Sequence, residues 1–118
     1  RLSRLLFRRA LAQVARTRLE AGDAAGARDA ALRFLDGFVD DTAGPTAMTE
    51  RHWRGWAYLV AATTDGQRGR PVQGCARLAL ALDDFETSGR PSPKAAIAVA
   101  SAALPGCAAA ADGRLDSP

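Results

Sequence analysis

The 118-residue sequence has little of the chemistry on which small catalytic or metal-binding domains depend. It contains one histidine, two cysteines and one lysine. The three possible metal ligands, His52, Cys75 and Cys107, show neither CxxC nor HxxxH spacing, so the sequence predicts no metal and no cofactor. It has no uninterrupted apolar run of about 18 residues, which argues against a membrane-spanning helix.

Catalytic patterns are also missing. The adjacent pairs Asp40–Asp41 and Asp83–Asp84 do not suit acid–base catalysis, because neighbouring helical residues point about 100° apart. No pattern places a nucleophile or an orienting acceptor against His52, although Glu50 or Asp83 could orient it if the fold brought them close. The sequence favours a non-enzymatic role without deciding the question.

Sparse cysteines and the absence of a signal-peptide pattern indicate the cellular compartment. In residues 1–9, arginine interrupts the apolar run before it reaches signal-peptide length. Two cysteines are ordinary for a reduced protein, so Cys75 and Cys107 are expected to be free thiols. We therefore expect a cytoplasmic protein.

What the chain has in quantity is arginine. Fifteen of its 16 basic residues are arginine, and alanine is frequent, which is typical of a high-GC bacterial genome. Six of these arginines precede the first acidic residue, Glu20: Arg1, Arg4, Arg8, Arg9, Arg16 and Arg18. A one-sided charge suits nucleic acid, an anionic membrane surface or an acidic partner, and is equally compatible with a solvated helix face.

Apolar spacing predicts a helical hairpin at the start of the chain. The first helix, over about 2–20, carries an apolar stripe that we expect to face the core, with its arginines facing solvent. The members of this stripe are Leu2, Leu6, Phe7, Ala10, Leu11 and Val14. Gly22 ends the helix and Asp23 caps a second helix over about 24–39, which the short turn makes antiparallel.

Three more helices are predicted beyond a Gly-Pro loop at 40–48. The third, over about 49–64, carries both tryptophans on its apolar stripe, and the fourth, over about 71–86, begins at Pro71 and has Val72 and Cys75 on its stripe. Ser92 as cap and Pro93 in the first turn begin a fifth helix over 93–103. The prediction is an all-α, five-helix bundle built from two antiparallel hairpins plus a short closing helix, over 1–104, followed by a loosely held tail over 105–118.

The segment 11–38 resembles one unit of the tetratricopeptide repeat class. Gly22-Asp23 stands where that family has its inter-helix Gly-Asp, Ala27 where it has a small residue, and Val14-Ala15 loosely where it has Leu-Gly. Trp53-x-x-Trp56-Ala57 has the rhythm of a second unit. The resemblance implies a protein-binding scaffold and assigns no site residue.

Two sets of residues are candidates for binding. His52, Trp53 and Trp56 lie within about one turn of the third helix, so they either line a pocket for an apolar ligand or fill the core between alanine-rich helices. Tyr58 is expected to point away from them, towards Arg51 and Arg54. A candidate surface for an anion or a partner consists of Arg4, Arg8, Arg68 and Arg70, of which the last two precede the Pro71 helix start.

The sequence is most compatible with a helical interaction or regulatory module that docks a partner protein or peptide. The alternative is a small bundle, either a ligand-binding protein or a minor enzyme, that holds an apolar small molecule in a pocket lined by the tryptophans. A third interpretation is non-specific nucleic-acid binding through the arginine-rich first helix. Sequence-specific DNA reading is not expected, because that helix lacks base-reading Asn, Gln or Lys residues.

Overall fold

Helix α3 is the central element of an all-α bundle, and the four other helices pack around it. The computed structural model describes residues 2–37 and 47–107, which contain no strand. The helices are α1 (Leu2–Glu20), α2 (Ala24–Asp36), α3 (Ala47–Gln67), α4 (Pro71–Ser88) and α5 (Lys94–Ala103). Extensive packing of α1 on α2 and of α3 on α4 forms the two expected hairpins, so the predicted fold class is confirmed.

The turn between α1 and α2 is formed by Gly22 and Asp23. Gly22 has a φ of +86°, its N–H donates to Leu19 O, and the Asp23 N–H donates to Arg18 O. This is the Schellman arrangement, which favours glycine because a side chain is strained at positive φ. The Asp23 side chain accepts from the Gly26 N–H at 2.9 Å, which confirms the predicted cap of α2.

The end of α3 lies later than predicted. The sequence placed it at about residue 64, because Asp65 and Gly66 look like turn residues, but the helix continues to Gln67 and turns at Gly69, where φ is +72°. Asp65 remains helical because two arginines neutralise it inside the bundle. Gly66 packs directly against Ala103 of α5, where there is no room for a side chain, so this helical position needs a glycine. Tertiary packing here overrides the local turn preference.

The buried face of α1 is opposite to the predicted one. Leu6, Phe7 and Val14 are exposed, whereas Arg8 is only 8% exposed and alanines at 12 and 15 are fully buried. Alanines allow α1 to approach the alanine-rich face of α2 closely, and the arginine stems cover aromatic rings at its flank. A pattern of large apolar residues therefore marked the outer face of this helix.

The other helices differ from the prediction in the exposure of one residue and in two helix ends. Val72 was expected on the buried stripe of α4 but is 84% exposed, because α4 turns Gly74 and Leu78 inward instead. At α5, Pro93 itself is the N-cap rather than a first-turn residue after Ser92. Helix α2 ends at Asp36, and the residues 38–46 with the predicted hinge lie outside the described part of the chain.

The expectation of free thiols is wrong. Cys75 of α4 and Cys107 form a disulfide, with their Cα atoms 5.2 Å apart. Residues 105–107, which were assigned to a loose tail, are a helical turn with Cys107 buried, because Leu104 inserts against Gly66 and Gly74 and brings Cys107 next to α4. The rest of that predicted tail, 108–118, lies outside the described residues.

Candidate functional site

A groove of about 380 Å³ separates the C-terminal half of α1 from the start of α5. Trp56 of α3 lies at its base and is 6% exposed. The other lining residues are Arg16, Leu19, Glu20, Ala95, Ala96 and Val99. The volume falls within the range of small-molecule pockets, about 300–1,000 Å³, and the lining is mostly apolar.

Arginines of α1 cover aromatic rings of the neighbouring helices. The Arg16 guanidinium carbon lies 4.7 Å from the centroid of the Trp56 ring, and that of Arg9 lies 5.3 Å from the centroid of Trp53. The corresponding distance from Arg8 to Phe34 of α2 is 5.3 Å. Such cation–π contacts are worth about 0.5–2 kcal/mol each, so these arginines are structural as well as charged.

His52 belongs to the aromatic cluster on the α3–α4 side of the tryptophans. Its ring centroid lies 5.4 Å from that of Trp53 and 5.6 Å from that of Phe85, both edge to face. Phe85 approaches closely because Gly55 has no side chain: a Cβ there would lie 2.9 Å from the ring. Within the described ranges, His52 Nδ1 and Trp53 Nε1 are buried without a hydrogen-bond partner.

The surroundings of His52 favour its neutral form. Partial burial lowers the pKa of the imidazole below its usual 6.5, and the positive charges of Arg90 and Arg16 lower it further. Glu50 and Asp83, the acids considered as orienting groups, form no ion pair with His52 in the part of the chain that the structure describes. This environment does not resemble that of a general base held by a carboxylate.

Two buried carboxylates connect the helices. Asp65 accepts from Arg28 of α2 at 2.6 Å and from Arg77 of α4 at 2.8 Å, and its side chain is fully buried. Asp84 of α4 accepts two hydrogen bonds from Arg54 of α3, at 2.6 and 2.7 Å. These charge-assisted bonds fix α2 and α4 on α3 and do not form a reaction centre.

A second and more polar cavity, of about 560 Å³, lies between α2 and α4. Tyr58 of α3 contributes to it, and Arg54 lies 5.8 Å from the centroid of that ring, so the predicted orientation of Tyr58 is confirmed. The charged lining residues are Asp29, Arg33, Asp36 and Arg77. Because both signs of charge are mixed there, the cavity shows no preference for one class of ligand.

The outward face of α1 carries large apolar side chains. Leu6 and Phe7 are each 56% exposed and Val14 is 37% exposed. Positions 6 and 14 are two turns apart on one helix face, and Phe7 lies next to them. We call these three residues the α1 apolar stripe; exposed neighbouring arginines flank it, among them Arg9 and Arg18.

Of the residues predicted to form an anion surface, Arg8 lies apart from Arg68 and Arg70. Arg8 is buried over Phe34, and Arg68 and Arg70 are exposed at the end of α3. Arg9 contacts Trp53, and Arg68, directly after the end of α3, lies 15 residues after Trp53, which corresponds to about 22 Å at 1.5 Å per residue. The side chain of Arg4 lies outside the described part of the structure.

The predicted tryptophan pocket is assembled in part. Trp56 lines the groove, whereas His52 and Trp53 pack beside it and are not among the lining residues. Sequence reasoning missed Arg16, Leu19 and Val99, since no local signal reports that α1 and α5 meet at one side of α3. It also missed the partners of Asp65, which come from two other helices.

The described residues show no cluster of His, Cys, Asp or Glu that suits a metal ion. In that same part of the chain, no helix combines the length and apolarity needed to cross a bilayer. Comparison with protein families, with curated proteins and with solved structures finds no match to this chain. The resemblance to tetratricopeptide repeats stays a prediction.

Proposed function

We propose that the protein is a helical interaction module that docks a partner protein or peptide through α1. The supporting observation is the α1 apolar stripe, whose Leu6 and Phe7 leave more than half of their surface exposed. Large apolar side chains grouped on one face are typical of protein interfaces. The resemblance to helical repeat scaffolds is compatible with this role.

The charge around the stripe indicates the kind of partner. Arg9 and Arg18 are exposed beside it, and residues 6–19 contain no acidic residue. A partner helix with an apolar stripe flanked by acidic residues would match both the apolar and the charged parts of this surface. The complex should therefore weaken as salt is added, because exposed charge pairs are screened.

Native mass spectrometry of the protein isolated from its own cells tests this proposal. We expect a second polypeptide at fixed stoichiometry, which is lost in the variant Phe7→Ser/Val14→Ser. The matched control is Val72→Ser/Leu80→Ser, which removes two exposed apolar side chains from α4. Retention of the partner by the α1 variant, or equal loss from the control, would contradict docking through α1.

A second candidate function is binding of a small apolar molecule, and the groove over Trp56 favours it. The base of the groove is a nearly buried indole, and its α5 wall includes Val99, which is 55% exposed. A bound molecule should change the fluorescence of Trp56, whereas partner docking on the outer face of α1 should leave it unchanged. Nucleic-acid binding stays a prediction, and the engagement of Arg8, Arg9 and Arg16 with aromatic rings does not favour it.

We also propose a cytoplasmic location in a high-GC bacterium. The composition, rich in arginine and alanine and poor in cysteine, supports it. The Cys75–Cys107 disulfide is the observation that weighs against it, since disulfides are rare in reducing compartments. Alkylation of free thiols immediately after lysis, followed by mass measurement, shows whether Cys75 and Cys107 are reduced or bridged in the cell.

A further inference from the structure

The groove between α1 and α5 is not uniform in chemistry along its length. At one end, Arg16 covers Trp56. One helical turn further along, Leu19 of α1 and Val99 of α5 supply apolar walls. The groove therefore has a positive end at Arg16 and an apolar end at Leu19 and Val99.

Negative charge at the groove is limited to one residue. Glu20 is the only acidic residue in the lining, and it pairs with Arg16 at 3.5 Å. The two side chains are 64% and 48% exposed, and exposed pairs of this kind contribute little to stability. A ligand carboxylate can therefore replace Glu20 as the partner of Arg16 at small cost.

The start of α5 adds to the positive end. Its N-cap is Pro93, whose side chain makes no capping hydrogen bond, and Ala95 and Ala96 of the first turn line the groove. Amide N–H groups in a first helical turn carry partial positive charge. They reinforce the charge preference that Arg16 establishes.

We propose that this groove binds a small amphiphile, an aliphatic carboxylate whose chain lies between Leu19 and Val99 beside Trp56 and whose head group pairs with Arg16. The proposal rests on the second candidate function above and adds the chemical class of the ligand. The volume of about 380 Å³ suits a single short chain. The exposed Val99 is then covered by the ligand.

Three probes of equal chain length test the charge of the head group: decanoate and decyltrimethylammonium below their micelle concentrations, and decanol below its solubility limit. The protein is the full chain carrying Trp53→Phe, so that Trp56 is the only tryptophan. We expect decanoate to shift Trp56 emission saturably, decanol to bind about five- to tenfold more weakly, and the cation to bind most weakly.

Two variants separate the head-group contact from general charge. Arg16→Gln should weaken decanoate about five- to tenfold and leave decanol unchanged. Arg18→Gln is the matched control: its guanidinium donates to Gly26 O on the α2 side, so decanoate affinity should not change. A third variant, Val99→Glu, places a charge in the exposed apolar wall and should weaken decanoate and decanol alike while the circular dichroism spectrum stays the same, because an aliphatic chain does not cover a carboxylate without cost.

The outcomes distinguish the choice of a carboxylate ligand from ligand binding in the groove as such. Equal binding of decanoate and decanol, together with no effect of Arg16→Gln, overturns the carboxylate assignment and leaves a neutral apolar ligand in the groove. The same loss in Arg18→Gln as in Arg16→Gln overturns it as well, because the effect is then net charge alone. No saturable response to any of the three probes overturns both the ligand class and the second candidate function.

Discussion

Individual arginines in this protein pack as well as carry charge. The Arg16 guanidinium lies over an indole, and Arg54 forms a two-point contact with the buried Asp84. The two-point contact needs a planar guanidinium, which lysine does not have. A helical-wheel pattern assigns every arginine to solvent, so the roles of these residues were not predictable from their spacing alone.

The first prediction concerns Asp65, the fully buried carboxylate between Arg28 and Arg77. Asp65→Ala should lower the free energy of unfolding by about 3 kcal/mol, because it leaves two largely covered guanidinium groups without their anion. Urea denaturation measures the change. As control, Asp83→Ala removes an exposed acid and should stay within about 0.5 kcal/mol of the parent protein; equal effects of the two variants would contradict the proposed role of Asp65.

The second prediction concerns pH. Because the pKa of His52 is lower in the folded chain than the unfolded value of 6.5, the unfolded state binds more protons between the two values. The stabilising contribution is thus fully present above pH 6.5 and is lost as the pH falls through the folded pKa. Urea denaturation between pH 8 and 5.5 should show this loss, and His52→Gln should make the curve flatter; an unchanged slope would refute it.

At the scale of whole helices, prediction succeeded where large residues face the core. The α3 stripe through Trp53, Trp56 and Val60 is buried as expected. It failed for α1, whose fully buried residues are alanines at 12 and 15 and which packs on α2, where alanines at 27 and 31 are fully buried. Alanine is compatible with both faces of a helix, so the burial of α1 is decided by its neighbours and not by its own pattern.

The third prediction concerns the seating of α5 on α3. A Cβ at Gly66 would collide with the carbonyl oxygen of Ala103, so Gly66→Ala should displace α5 and destabilise the fold by about 1–3 kcal/mol. Thermal unfolding measures the loss, and Trp56 fluorescence reports the altered groove. Gly106→Ala is the control, since nothing lies within 4 Å of that position. A Gly66 variant as stable as the control would show that α5 is not seated in this way.

At the scale of the whole molecule, the sequence was sufficient for the number, order and approximate limits of the helices. Capping residues such as Asp23 and a first-turn proline such as Pro71 mark these limits locally. The groove was not predictable, because it depends on α1 and α5 lying on the same side of α3. The disulfide was missed for the same reason: cysteines separated by 32 positions give no local sign of contact.

The fourth prediction concerns that disulfide. Reduction should lower the free energy of unfolding by about 2–4 kcal/mol, because the bridge limits the conformations of the unfolded chain between α4 and residue 107. Urea denaturation with and without a phosphine reductant gives the difference. The double variant Cys75→Ala/Cys107→Ala should not respond to the reductant, and an equal response in that variant would rule out the bridge as the cause.

The bridge also closes a ring of polypeptide that contains Lys94, the first residue of α5. If a protease cut the backbone after Lys94, the two pieces would remain one covalent particle. They would migrate together on a gel without reductant and separate when the bridge is reduced. In a molecule nicked at this point, the disulfide would be the only covalent link between α4 and the α5 wall of the groove.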